Sequence, residues 1–236
     1  GDANANILKG GSGNDVIQGN AGNDTIDSGA GDDKIYGGAG DDTIIQSGSG
    51  TQHYDGGEGT DTYKLIPDKA VFANVDFDIK VDLNTGFSGL KDNPSHVLND
   101  TLTNIENVDF SNVSWDLVLN GDANANILKG GSGNDIIKGG LGSDKISTGN
   151  GSDTIVIQQG DGGNTIAKAD MISDFSNGSD LIGLHNLNYS DLTIEQGSGN
   201  YVNDALISNG SEYLVVIEDI NIADLTDSDF VAFEIV

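Results

Sequence analysis

Aspartate recurs every nine residues at Asp15, Asp24, Asp33 and Asp42, and again at Asp135, Asp144 and Asp153. Each closes a glycine-rich hexamer, such as GGSGND at 10–15 or GGAGDD at 37–42. Carboxylates at fixed spacing, beside glycines that free backbone carbonyls, offer only oxygen donors. Such a donor set suits a hard divalent cation rather than zinc or copper. Other chemistries lack their residues. His53, His96 and His185 are scattered, belong to no H-E-x-x-H, and read as loop or surface polar residues. No G-x-S-x-G elbow, P-loop, dinucleotide fingerprint or EF-hand loop occurs. With 38 acidic residues, neighbouring carboxylates arise without catalysis. No catalytic residue and no organic cofactor is expected, and the chain is not read as an enzyme.

The elements that must position these aspartates are written in nines. The opening reads GDANANILK, GGSGNDVIQ, GNAGNDTID, SGAGDDKIY, GGAGDDTII, then, after one extra residue (Gln46), SGSGTQHYD and GGEGTDTYK. A second series begins at 121 with GDANANILK, GGSGNDIIK, GGLGSDKIS and TGNGSDTIV. The fifteen residues at 1–15 and 121–135 are identical. This Gly-Gly-x-Gly-x-Asp-x-U-x pattern, with U large and apolar, resembles the RTX (repeats-in-toxin) family. That resemblance implies calcium (Ca2+) as the bound ion and a right-handed parallel β-roll, a β-solenoid, as the all-β fold.

The physical reading agrees. Glycine tolerates the positive φ of tight turns. The x-U-x triplet is a short strand that sends U inward. The U series is Leu8, Ile17, Ile26, Ile35, Ile44, Tyr54 and Tyr63, then Leu128, Ile137, Ile146 and Ile155. Two nonapeptides make one turn of coil, so loops two repeats apart stack. Strands stack ~4.8 Å apart, about twice a calcium–oxygen distance of ~2.4 Å, so one ion fits between stacked loops. The expected pairs are Asp15 with Asp33, Asp24 with Asp42, Asp42 with Asp61, Asp135 with Asp153, and Asn126 with Asp144. In the first block the ligands are assigned to Gly10, Ser12, Asn14 and Asp15; Gly19, Ala21, Asn23 and Asp24; Ser28, Ala30, Asp32 and Asp33; Gly37, Ala39, Asp41 and Asp42; and Gly56, Glu58, Thr60 and Asp61. In the second they are Asn126; Gly130, Ser132, Asn134 and Asp135; Gly139, Leu141, Ser143 and Asp144; and Thr148, Asn150, Ser152 and Asp153. Apart from the sixth position, backbone carbonyls are meant, and the side chains of Asp32 and Asp41 are expected to face water. Gln52, Asn6 and Asn126 put an amide where aspartate is expected, which predicts weaker or empty sites. Gln46 is expected to bulge one edge.

Four regions follow: a repeat block at 1–66, an intervening strand segment at 67–120, a second block at 121–166, and a capping region at 167–236. In the intervening segment Val75, Phe77, Ile79, Val81 and Leu83 alternate as a strand. The stretch TLTNIENV at 101–108 resembles lead-ins to RTX blocks and implies further coil rungs without regular calcium loops. Trp115, in phase with Val113 and Leu117, reads as core. DMISDFSNGSDLIGL at 170–184 resembles the end of RTX blocks and implies Asp174 and Asp180 as last ligands. Asn209-Gly210 is a hairpin signal, and the open end of a coil requires a cap. The tail also resembles the C-terminal end of type I secreted proteins, so it reads as a cap, alone or combined with a secretion signal.

The net charge of −28 excludes nucleic acid and anionic membranes as partners. There is no Cys, hence no disulfide or thiolate site. No apolar run is long enough to span a membrane as a helix. The abrupt start at Gly1 suggests a piece of a longer protein, and a monomeric module is expected. Roughly eight ions follow from the pairing scheme. One apolar side chain per nonapeptide, ~1.5–3 kcal/mol, cannot offset the entropy of ordering nine residues. Folding is therefore expected to require calcium. The resemblance implies type I secretion from a Gram-negative cell and a secreted or cell-surface, extracellular location. A large adhesin is the first reading of the parent. An accessory module of a secreted protease, lipase or alginate epimerase is the second, and a carbohydrate- or ice-binding coil the third.

Overall fold

The computed structural model describes residues 1–66, 78–90 and 99–234. Through the repeat blocks the chain alternates between two sheets, each of eleven strands among the described residues. Apolar residues at the U positions set the register. In one sheet Leu8 pairs with Ile26, Ile26 with Ile44, Ile44 with Tyr63, Tyr63 with Val108, and Val108 with Leu128. In the other Ile17 pairs with Ile35, and Ile35 with Tyr54. These ladders are parallel, and the U side chains of the two sheets face each other. Ile26, Ile35, Ile44, Tyr54, Tyr63, Leu128, Ile137 and Ile155 are fully buried. This is a β-roll, with no α-helix among the described residues; five short 3-10 turns lie after residue 165.

Gln46 does not bulge the edge. It extends the strand Thr43–Gln46, pairs with Leu65, and turns its side chain into the core at 1% exposure. The cause is alternation: Gln46 lies two residues after Ile44, on the inward face. Its amide oxygen accepts a hydrogen bond from the Tyr63 hydroxyl. The strands Val16–Ala21, Lys34–Ala39 and His53–Glu58 run six residues, longer than the three expected, because glycine-loop backbones also pair.

The intervening segment joins the blocks differently in the two sheets. One gains a single parallel strand, Asn107–Asp109, between Thr62–Leu65 and Ile127–Lys129. The other gains Asn99–Thr103, then the antiparallel pair Phe87–Leu90 and Ile79–Asp82, then Leu117–Asn120. Plain coil rungs were expected there; the hairpin inverts the chain locally. Both blocks nevertheless share both sheets. Trp115 is partly buried against the common core. Val75, Phe77 and His96 lie outside the described residues.

Beyond the second block, Asp170–Ile172 pairs in parallel with Glu212–Ile217. A meander of Glu212–Ile217, Ala205–Asn209 and Leu192–Gln196 closes that sheet. Gly210, at φ 61°, makes the hairpin turn that Asn209-Gly210 predicts. The other sheet ends on Leu181–His185 and Phe230–Ala232.

Candidate metal centres

Within each turn the sixth-position residue hangs from the one above it. The Asp15 N–H donates to Asp33 Oδ1 at 2.9 Å, and those of Asp24 and Asp42 to Asp42 and Asp61 at 2.7 Å. In the second block Asp135 N–H donates to Asp153 and Asn126 N–H to Asp144, both at 2.7 Å. All five expected pairs are thus stacked. Oδ1 is used in the ladder, and Oδ2 is left over. The Oδ2 atoms of Asp15, Asp24, Asp33, Asp42, Asp61, Asp144 and Asp153 are buried without a hydrogen-bond partner. A buried carboxylate oxygen without partner costs several kcal/mol unless a positive charge meets it.

The first glycine of the loop lies beside these oxygens. A Cβ on Gly37 would stand 2.3 Å from Asp42 Oδ2 and 2.4 Å from the Gly56 carbonyl. On Gly19 it would meet Asp24 Oδ2 at 2.2 Å and the Gly37 carbonyl at 2.3 Å. On Gly130 it would meet Asp135 Oδ2 at 2.3 Å and the Thr148 carbonyl at 2.4 Å. Carboxylate and carbonyl oxygens therefore crowd the first glycine so closely that only a residue without a Cβ fits beside them. The donors fit calcium. Among the described residues no three acidic or histidine side chains converge, so each site needs backbone carbonyls to complete it.

The fifth-position side chains do more than face water. Asn14 Oδ1 accepts from Asp32 N–H, Asn23 from Asp41, Asp32 from Thr51, Asp41 from Thr60 and Asn134 from Ser152. This outer ladder runs in the opposite direction to the inner one. Third-position carbonyls are also engaged, Ala30 O by Gly13 N–H, Ala39 O by Gly22 N–H and Glu58 O by Gly40 N–H. Each keeps a second lone pair.

Where an amide replaces aspartate, the amide nitrogen supplies the positive end. Gln52 Oε1 accepts from Asp33 N–H, and its Nε2 donates to the Gly31 carbonyl at 2.7 Å. Asn126 Nδ2 donates to the Glu106 carbonyl while its Oδ1 takes Asp122 N–H. The amides are thus satisfied without an ion, whereas Oδ2 of their ladder partners Asp33 and Asp144 is not.

Several ladder members were missed in the sequence. Gln52 N–H donates to Asp100, Asp61 N–H to Glu106, and Asp144 N–H to Asp170. Asp100-Thr101-Leu102 and Asp170-Met171-Ile172 repeat the Asp-x-U signature without its glycines, a usable signal. Asp180 joins the ladder, accepting from Asp153 N–H. Asp174 does not join the ladder. Its oxygens are held by Ser147 Oγ and the N–H groups of Thr148 and Gly149, so it clamps a loop.

Burial raises several carboxyls of the ladder. It pushes Asp61 and Asp153 to about 6 and Asp135 to about 7. Burial, together with the charge of Asp144, pushes Asp170 to about 9. Burial likewise pushes Asp100 to about 7.

The duplicated fifteen-mer provides an internal comparison. Asp135 is 1% exposed and also accepts from Leu117 and Gly131 N–H, whereas Asp15 is half-buried. Asp135→Ala is expected to cost about 3 kcal/mol, Asp15→Ala less, and Asn4→Ala, which is exposed, little. Thermal melts in saturating calcium check this. Equal shifts for Asp135→Ala and Asn4→Ala would break the register.

The profile of the RTX calcium-binding nonapeptide repeat (four copies) matches residues 1–35, 29–63 and 120–155. The fold resembles the solution structure of a subunit of the Azotobacter vinelandii mannuronan C5-epimerase. The TM-score is 0.37, with 21% identity over 53% of this chain and 77% of that one. It also resembles an extracellular lipase from Serratia marcescens, with a TM-score of 0.33 and 17% identity over 99% of this chain and 39% of the lipase. No curated protein sequence matches the chain. The segments 1–63 and 120–155 are therefore RTX calcium-binding nonapeptide repeats, wound into one β-roll.

Proposed function

We propose that the chain is a calcium-gated folding module of a secreted protein. One observation carries this reading: seven buried carboxylate oxygens have no donor to meet them, and those of Asp15, Asp24, Asp42 and Asp61 each crowd a glycine together with a loop carbonyl. Asp24, Asp33, Asp42, Asp61, Asp144 and Asp153 would hold the ions with the loop carbonyls, Asp15 and Asp135 at the block entrances. Calcium would supply the positive charge that the stacked oxygens need. The chain's own part is to present these oxygens in register, through the U-residue core and the two opposed hydrogen-bond ladders. Without a cation the buried carboxylates repel, and the net charge of −28 adds to the deficit. Binding to the folded state alone then drives folding by mass action.

In the low calcium of the cytoplasm such a chain stays unfolded, as passage through a type I secretion channel requires. In external millimolar calcium it folds as a monomeric extracellular module. We infer further that it serves a large surface adhesin. Tandem adhesive repeats upstream of Gly1 would support that parent, and a catalytic domain there would overturn it.

A circular dichroism titration tests the switch. The strand signal and a cooperative melt are expected in millimolar calcium and absent in EDTA. The same spectrum and melting temperature in both conditions would overturn the proposal.

A further inference from the structure

The first block does not end where its nonapeptides end. Asp61 is fully buried, and its Oδ2 has no hydrogen-bond partner. Its N–H donates to Glu106 Oε2 at 2.7 Å, as other ladder members donate to the aspartate above. A Cβ on Gly56 would stand 2.4 Å from Asp61 Oδ2 and 2.1 Å from the Asn104 carbonyl. At Gly19 and Gly37 the same place is bounded by a repeat aspartate and the carbonyl of the next loop's first glycine. Asn104 therefore stands where that glycine would be, and Glu106 where the aspartate would be. Strand pairing agrees, since Asn107 pairs with Thr62 and Val108 with Tyr63.

The local chemistry explains the substitutions. In a repeat, the first glycine and the ligating aspartate are five positions apart. Here only Ile105 separates Asn104 from Glu106, and it is buried in the core at 6% exposure. Asn104, at φ 51°, makes the sharp turn, and its side chain donates to Asp55 at 2.8 Å. Three residues replace six, and glutamate brings a longer reach than aspartate. Residues 104–106 lie between the two matched repeat segments.

We propose that Asp61, Glu106 and the Asn104 carbonyl form a calcium site at the exit of the first block, outside the nonapeptide repeats. Two carboxylates and a carbonyl select a hard cation of calcium's size over softer metals. The site rests on the calcium reading of the repeats.

Calcium binding to the full chain, by equilibrium dialysis with elemental analysis and by isothermal titration, tests it. Glu106→Gln keeps an acceptor for Asp61 N–H and removes the charge. It is expected to bind one ion fewer than wild type, with the same dichroism at saturation. An unchanged ion count and unchanged affinities would overturn this site and leave the repeat sites standing. No calcium bound by wild type would overturn both. If Glu106→Gln fails to reach the wild-type spectrum, Glu106→Asp decides. It keeps the charge with a shorter reach, and one site is expected to weaken about tenfold. Unchanged affinities in Glu106→Asp, or loss of its fold, would assign Glu106 a structural role only and overturn the site.

Discussion

In EDTA, acidification from neutral pH to about 5 is expected to fold the chain, with protons taking the place of calcium. Burial pushes Asp61, Asp144, Asp153 and Asp161 to about 6 in the folded roll. It pushes Asp100 and Asp135 to about 7, and burial with the Asp144 charge takes Asp170 to about 9. The unfolded chain holds aspartate near 3.8. The folded state therefore binds more protons than the unfolded one between those values, and its stability rises as pH falls. All seven groups are shifted in the same direction, so their contributions reinforce one another. Asp82 and Asp109 oppose the trend. For both, burial is outweighed by hydrogen bonds and a neighbouring lysine, which hold the carboxyl low. Their contribution is lost only as pH falls through their depressed values, so it does not cancel the gain at about 5. That pH also stays above the isoelectric point of 4.1. With calcium present the dependence reverses, because protons displace the ion from the same oxygens. Circular dichroism at both pH values, with calcium and with EDTA, provides the four readings. A calcium-free chain without strand signal throughout the range would show that charge burial is not what keeps it unfolded.

The same carboxylates explain what the sequence could reveal. Nine-residue periodicity exposes the stacked pairs because each loop is a rigid six-residue turn, fixed by glycine. The register of Asp15 to Asp33, Asp24 to Asp42 and Asp135 to Asp153 follows directly. Periodicity fails where loop length changes. Glu106 closes a loop of three residues, and Asp170 lies 26 residues after Asp144 where a repeat would put 18. Both hold a ladder place that no fixed spacing locates. Gln46 misleads for another reason. An extra residue in a strand can bulge outward or continue the alternation, and only a facing Tyr63 hydroxyl makes the inward choice affordable. The antiparallel pair Ile79–Asp82 and Phe87–Leu90 is equally silent, because alternating apolar residues do not encode strand direction. Outer-ladder asparagines and aspartates were visible as fifth-position residues. Their role depends on a stacked N–H from a loop 18 or 19 residues away, a contact no local pattern contains.

Gly37→Ala is expected to lower the melting temperature in calcium by about 10 °C or more, a cost above about 4 kcal/mol at the usual conversion for this size. The reason is not backbone conformation, since Gly37 is absent from the positive-φ glycines. Its added methyl would stand 2.3 Å from Asp42 Oδ2 and 2.4 Å from the Gly56 carbonyl, so it pushes against two oxygens assigned to the ion. Neither oxygen can retreat, because Asp42 Oδ1 holds Asp24 N–H and Gly56 is in the strand His53–Glu58. Calcium count should fall along with stability. Gly178→Ala supplies the contrast. Gly178 has φ 81° but nothing within 4 Å of its Cβ position. Its cost is only the left-handed backbone, about 1 kcal/mol, with the ion count unchanged. If both variants lost the same stability, conformational strain alone would account for the glycines. If Gly37→Ala kept every ion, the first glycine of the repeat would not mark the calcium pocket. A large loss at Gly37 with a missing ion, beside a small loss at Gly178 with none, would separate the glycines that turn the chain from those that leave room for the cation.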